Sequence, residues 1–305
     1  MKIMNKFAFN SFCIFHSPSI LGFCCCLLCL ASLKSDAQEA ELAKALSFHA
    51  SFDNGIDADF ARGDRQLWNA TAINKRESAT MGLPVGGEVR LEQNAGRFGH
   101  ALRFIKGKGP MVFYNAEKNV RLLESNWSTT ISFWLSTDPA NELQEGFCDP
   151  LQITSKQWDD AAIFVEFEKR ATGFPFRLGV YADKSVWNPT GRKFETIPAA
   201  ERPLASVEKP PFSAGKWTHV AVVLSSFNTS QPNGEAMLFL DGKKAGEISP
   251  RNQTFTWDSK KASVMLGLSY IGLMDDLALF DRVLKANEIE ILYALKAGVR
   301  ELISK

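Results

Sequence analysis

Beyond residue 29 this chain has one cysteine, Cys148; the other five, Cys13, Cys24, Cys25, Cys26 and Cys29, fall within an N-terminal apolar stretch. If that stretch is a secretory leader they leave with it, no internal disulfide is expected, and the fold must be held by its core. Charge of one sign is also lacking, since 35 Lys and Arg stand against 34 Asp and Glu. No basic stripe suggests nucleic acid and no acidic block suggests a tail. Histidine is scarce: His16 lies in the leader, and His49, His100 and His219 show no metal-type spacing. There is no Gly-x-Ser-x-Gly elbow and no base identifiable for Cys148, so serine or cysteine nucleophilic catalysis has no support.

Long apolar runs are confined to the N-terminus. Lys2 and Lys6 precede the run from Ile20 to Leu33, and Ser35-Asp36-Ala37 supplies the small residues a signal peptidase reads. The run falls short of the roughly 20 apolar residues a transmembrane helix needs. Residues 1–37 are therefore expected to be a signal peptide cleaved after Ala37. No later segment is expected to span a membrane, and the product is expected to be secreted, periplasmic or on the cell surface.

What is present is aromatic: 23 Phe and 7 Trp, side chains that pack well between two sheets and also form sugar-stacking platforms. Gly215–Leu224 and Glu235–Lys243 are runs of apolar and β-branched residues, the second closing on Asp241-Gly242, and predict two buried strands with a turn. Alternation predicts a first strand over Leu46–Phe52 with Leu46, Phe48 and Ala50 on one face, and another over Trp127–Leu135. Ala162–Glu168 and Phe176–Tyr181 read as strands around a turn. Residues 57–87 show no sustained period and read as a long loop, with Val89–Leu91 a brief strand at its end. Residues 183–214 carry Pro189, Pro198, Pro203, Pro210 and Pro211, which exclude a central strand and suggest a binding loop or a mobile insertion. Ile289, Leu292 and Leu295 share one face of a helix over 285–296, with Gly298 as its stop.

Four separated signatures carry a family resemblance: Gly96-Arg97-Phe98-Gly99-His100-Ala101-Leu102-Arg103-Phe104, the Trp127–Leu135 strand, Lys216-Trp217-Thr218-His219-Val220-Ala221 with Leu238–Gly242, and Met274–Phe280 with Leu284 and Glu288-Ile289. In this order they resemble laminin-G-like domains of the concanavalin A-like lectin and glucanase class. The resemblance implies an all-β, two-sheet antiparallel jelly-roll sandwich with one short C-terminal helix, spanning residues 46–298 between a lead-in at 38–45 and a tail at 299–305. Lys285 stands where the family has a capping serine, so the helix start is expected to lose a side-chain acceptor worth about 1 kcal/mol.

The same resemblance implies a structural calcium held by Asp275, with Asp53 and His100 contributing mainly backbone oxygen. Adjacent strand residues face opposite ways, so Asp276 is the weaker partner. Glu166 and Glu168 share a strand face and resemble in part the Glu-x-Asp-x-x-Glu strand of glycoside hydrolases with this fold. Ala171 stands where the third acid should be, however, and the two are expected to be solvated edge charge. Trp158, Trp187 and Trp257 fall in or beside loops with Asp159 and Asn188, a pairing of aromatic faces and polar groups that suits sugar recognition; core packing is the competing expectation for each ring. The reading is a secreted, non-catalytic module that binds carbohydrate or a glycosylated partner. The alternatives are an atypical glycoside hydrolase or lyase using Glu166 and Glu168, and a structural surface protein without a small ligand.

Overall fold

The computed structural model describes residues 37–303, so the expected leader and its five cysteines lie outside the described residues. Of a first compact unit, Met1–Ala40, residues 37–40 are described, as helix; the second unit begins at Glu41 and holds the sandwich.

Seventeen strands are formed among the described residues: β1 (Leu46–Ala50), β2 (Phe60–Ala61), β3 (Trp68–Ala70), β4 (Thr80–Met81), β5 (Val89–Glu92), β6 (Ala101–Phe104), β7 (Met111–Asn115), β8 (Trp127–Ser136), β9 (Gly146–Thr154), β10 (Ala162–Lys169), β11 (Phe176–Tyr181), β12 (Leu204–Val207), β13 (Trp217–Phe227), β14 (Gly234–Leu240), β15 (Lys243–Arg251), β16 (Ser263–Leu268) and β17 (Gly272–Phe280). The first sheet runs β15-β14-β13-β8-β17-β1-β2, with β6 on β17 and β5 beside β6; the second runs β12-β11-β10-β9-β16-β7-β3-β4. Pairing is antiparallel throughout, and neighbours distant in sequence, such as β8 between β13 and β17, give the jelly-roll connectivity.

The alternating residues meet between the layers. Phe48, Trp127, Phe133, Phe167, Phe176, Tyr114 and Phe227 are fully buried there. Phe48 and Tyr114 cross the interface edge-on at 4.7 Å, an arrangement favoured by the ring quadrupoles. At roughly 1.5–3 kcal/mol for each large apolar side chain buried, this layer is the main source of stability.

The first sheet is also covered on its outside. Ala221, Val223, Phe239, Ala278 and Phe280 pack beneath Ile289 and Leu292 of the helix Ala286–Ala294 and Leu295, which caps it. The lost serine cap at Lys285 is replaced from within the first turn: the Glu288 carboxylate accepts the Lys285 N–H at 2.8 Å and is itself paired with Arg282 at 2.6 Å. The helix stops at Ala294 with Leu295 as its C-cap, short of the expected stop at Gly298. Gly298, at φ 74, lies instead before the last helical turn, Arg300–Ile303, where a Cβ would stand 2.8 Å from the Asp276 carboxylate.

Three details depart from the sequence reading. A bulge between Leu46 and Phe48 turns Leu46 to the outer face, away from Phe48 and Ala50. Strand β9 has no counterpart in the pattern because Pro150 interrupts it; Asp149 and Pro150 stand opposite Glu166 at an irregularity where the missing N–H breaks no ladder bond. The stretches read as loops hold short strands at or next to the sheet edges, β2 to β4 in one and β12 in the other.

Candidate functional site

Among the described residues, the outer face of the second sheet has no covering helix comparable to that on the first. Register places Gly179, Phe164, Gln152, Met265, Phe113 and Trp68 side by side across β11, β10, β9, β16, β7 and β3. Their chain neighbours Leu151, Ile153, Val165 and Tyr114 point inward, so this row faces away from the core.

Above the Trp68 end of the row lies the short 3-10 helix Ile73–Ser78. Its Arg76 crosses the face to the Thr154 carbonyl at 3.3 Å and the Met265 sulfur at 3.4 Å. Beneath and beside it opens a cavity of about 480 Å³ lined by Trp68, Arg76, Phe113, Asn115, Lys260 and Lys261. A second cavity of about 590 Å³ shares Ile73, Asn74 and Arg76 and continues to Lys156, Gln157 and Asp160.

The floor is held rigidly. Asp64 accepts the Trp68 indole N–H at 2.9 Å and the Asn115 amide at 2.8 Å. Burial raises the Asp64 carboxyl, but these bonds and the Gln66 N–H outweigh it and hold the group below the usual carboxylate range. Trp68 therefore presents a fixed, half-buried ring with polar neighbours, an arrangement able to stack on a sugar and bond its hydroxyls.

At the far end of the row Tyr181 stacks on Phe164 at 5.6 Å, with Trp187 edge-on at 4.9 Å and Trp158 at 5.8 Å. Gly179 permits this stack, since a Cβ there would lie 2.1 Å from the Phe164 ring. Trp158, 47% exposed, follows directly on the Lys156-Gln157 wall of the second cavity.

Of the residues singled out in the sequence, Trp158, Trp187, Asp159 and Asn188 come together here. The Trp187 indole donates to the Asp159 carbonyl at 2.8 Å, and Lys184 pairs with the Asp159 carboxylate at 2.6 Å. Asn188 is turned inward to bond the backbone of Arg192, so its amide holds the loop rather than facing a ligand. Trp257 is corrected: only 9% exposed, it packs on Trp127 and Phe255 and donates to the Ala161 carbonyl, so most of the ring belongs to the core and only its rim reaches a small cavity beside Val120 and Arg121, away from the other two tryptophans.

Glu166 is likewise not solvated edge charge. It lies on a central strand, 5% exposed, and one of its oxygens takes two N–H groups of Arg177, whose third nitrogen bonds Glu168 at 2.8 Å. Phe147 covers the guanidinium at 4.9 Å. Burial raises the Glu166 carboxyl against the pull of Arg177, and burial, then Glu166, raises neighbouring Asp149.

Of the oxygens implied for calcium, those of Asp53 meet a side-chain cation of the chain itself. Asp53 accepts the His100 N–H at 2.8 Å and the Arg300 guanidinium at 2.5 Å; Arg300 also donates to the Phe98 carbonyl at 3.0 Å. Asp275 accepts the Phe98 N–H at 2.9 Å, and burial, then Asp276, pushes its carboxyl up to about 8. Calcium asks for six to eight oxygens with ionised carboxylates; of the implied donors, the Asp53 carboxylate is engaged by Arg300, while the Asp275 carboxylate and the His100 carbonyl lie together beside Gly96. Asp276, across a bulge, serves the other face and accepts the Val299 N–H at 3.0 Å, with His49 at 2.7 Å. His219 is buried beneath the C-terminal helix, 2.9 Å from Ser132 Oγ, its proton affinity lowered by burial to about 4.

Sequence reasoning missed Trp68, Arg76, Asn115 and the Lys260-Lys261 pair, which share no local pattern and are united by the pairing of β3 with β7 and of β7 with β16. The one local signal was an isolated Trp in a stretch without period.

The family described as the concanavalin A-like lectin/glucanases superfamily, of laminin G type, matches residues 114–290. No curated protein matches the sequence. Among solved structures, domain 4 of AbnA, a GH43 extracellular arabinanase from Geobacillus stearothermophilus, determined in complex with arabinotriose, is similar at 17% identity with a TM-score of 0.50, over 82% of this chain and 98% of that one. The binding domain of botulinum neurotoxin serotype C1 is similar at 11% identity with a TM-score of 0.51, over 83% of this chain and 52% of that one. At these identities the likeness is one of fold.

Proposed function

The chain belongs to the concanavalin A-like lectin/glucanases superfamily, and from that premise we propose that it is an exported, non-catalytic domain that binds carbohydrate or a glycosylated partner on the outer face of its second sheet. The observation that carries the reading is the fixed Trp68 ring in an open cavity with Asn74 and Asn115 beside it, an aromatic platform flanked by amides. Trp158, exposed and next in the chain to Gln157 of the neighbouring cavity, extends the same surface. The arabinotriose complex of the similar arabinanase domain supports a carbohydrate ligand for this architecture, an analogy of fold and not of site.

Catalysis is the less supported alternative, because Glu166 and Glu168 are both engaged by Arg177 beneath Phe147 rather than standing free across a groove. The test is retention on a glycan array and on immobilised polysaccharides, with reducing-end release assayed in parallel. Binding without turnover, lost in Trp68→Ala at unchanged melting temperature, is the expected result. Turnover abolished by Glu166→Gln would overturn the non-catalytic reading.

A further inference from the structure

Arg76 is a half-buried guanidinium with no carboxylate partner. Among the described residues no ion pair includes it, and its contacts are the Thr154 and Ser155 carbonyls at 3.3 and 3.5 Å and the Met265 sulfur at 3.4 Å. Such contacts are long for a guanidinium and leave much of its planar donor fork unused. Burial disfavours the charged form here, with no opposing anion. A buried cation is ordinarily paired. Elsewhere on the same sheet the chain does pair one, placing Glu166 and Glu168 on Arg177.

The surroundings share the imbalance. Arg76, Lys156, Lys260 and Lys261 line the two joined cavities against Glu77 and Asp160. Lys156 is neutralised by Asp183 at 2.6 Å, with Asp160 at 3.5 Å, and Lys261 has only a loose contact with Asp258 at 3.9 Å. Lys260 has no carboxylate in pairing range among the described residues. Asn115, whose amide donates to Asp64, lines the same cavity.

We propose that this cavity takes a carboxylated sugar, the ligand's carboxylate completing the forked pairing of Arg76 while its ring lies against Trp68. The inference rests on the carbohydrate-binding reading and adds the charge of the ligand. Arg suits this role better than Lys because its two parallel N–H groups match a carboxylate. The exposed lysines add attraction that salt screens.

The experiment measures affinity for polygalacturonate, alginate and hyaluronan and for their carboxyl-reduced counterparts, with the full mature protein in the presence of a chelator. At least one acidic polymer is expected to be retained, and carboxyl reduction to weaken it at least about tenfold, the effect of losing one charge-assisted forked bond. Arg76→Gln should weaken retention similarly. Arg76→Lys should recover part of it, and the exposed double variant Lys260→Gln/Lys261→Gln should lower it and its salt dependence without change in melting temperature. Acidic and reduced polymers held equally, or retention indifferent to both the Arg76 and the lysine variants, would overturn the acidic assignment while the carbohydrate reading stands. Retention of no polymer, acidic or neutral, would remove both.

Discussion

Arg300 donates to Asp53 at 2.5 Å and so ties the last helical turn to the loop that leaves β1. Its second arm, on the Phe98 carbonyl, makes one side chain the cation shared by the β1 turn and the Gly96–Gly99 turn. Arg300→Ala should therefore destabilise the domain by about 1 kcal/mol, a figure kept low because the arginine is nearly half exposed. Chelator should leave the melting temperature of the wild type unchanged. A fall of several degrees on adding chelator, reversed by calcium, would show that a metal and not Arg300 bridges these turns.

Trp257 and Trp158 look alike in sequence, each a tryptophan beside an aspartate, and should respond oppositely to truncation. Trp257→Ala empties a site among Trp127 and Phe255 and is expected to cost about 3–5 kcal/mol, with retention per folded molecule unaltered. Trp158→Ala removes a ring that is half in solvent. It should cost under about 1 kcal/mol and reduce polysaccharide retention. Denaturant melts and affinity electrophoresis on the two variants separate the cases; retention unaffected by Trp158→Ala removes that residue from the surface.

The contrast between these tryptophans shows where sequence is legible. Alternation along Trp127–Leu135 and the unbroken apolar, β-branched run of Gly215–Leu224 are local consequences of strands packed in the core, so β8 and β13 could be read directly. Whether a loop ring faces in or out depends on chain remote in sequence: Trp257 reaches the Ala161 carbonyl, and Trp68 is oriented by Asp64 only once β3 has paired with β7. Glu166 and Glu168 were legible as sharing a face, but their depth followed from β9, which Pro150 hid.

Arg177 sits between two carboxylates on the second sheet, and removing it should be worse than removing either acid. Arg177→Ala leaves Glu166 buried without its counter-ion, beside Asp149, and is expected to cost about 3–5 kcal/mol at neutral pH. Glu166→Gln keeps an acceptor for the guanidinium and removes one like charge from Asp149, so its cost should stay under about 2 kcal/mol. Because the stranded carboxyls can take up protons, the deficit of Arg177→Ala should shrink as pH is lowered toward 5. A deficit independent of pH in urea melts would mean that packing against Phe147, and not charge, holds the arginine in place.

His219 gives the fold an acid limit. It lies between the first sheet and Tyr293, with Trp134 at 5.1 Å, and burial outweighs the attraction of Asp276 and Asp241 to lower its proton affinity from 6.5 to about 4. The folded state thus keeps the ring neutral while the unfolded chain protonates it below pH 6.5. The stability this provides is whole above pH 6.5 and is lost as pH falls from there through 4, a loss on the order of 3 kcal/mol across the window. His219→Gln can retain a hydrogen bond to Ser132 and does not titrate. The difference in unfolding free energy between wild type and variant should therefore narrow by about that amount between pH 7 and pH 4. Parallel pH profiles for the two proteins would show that the ring is reached by water or carries its proton in the folded state, and would place the acid limit on the carboxylates instead.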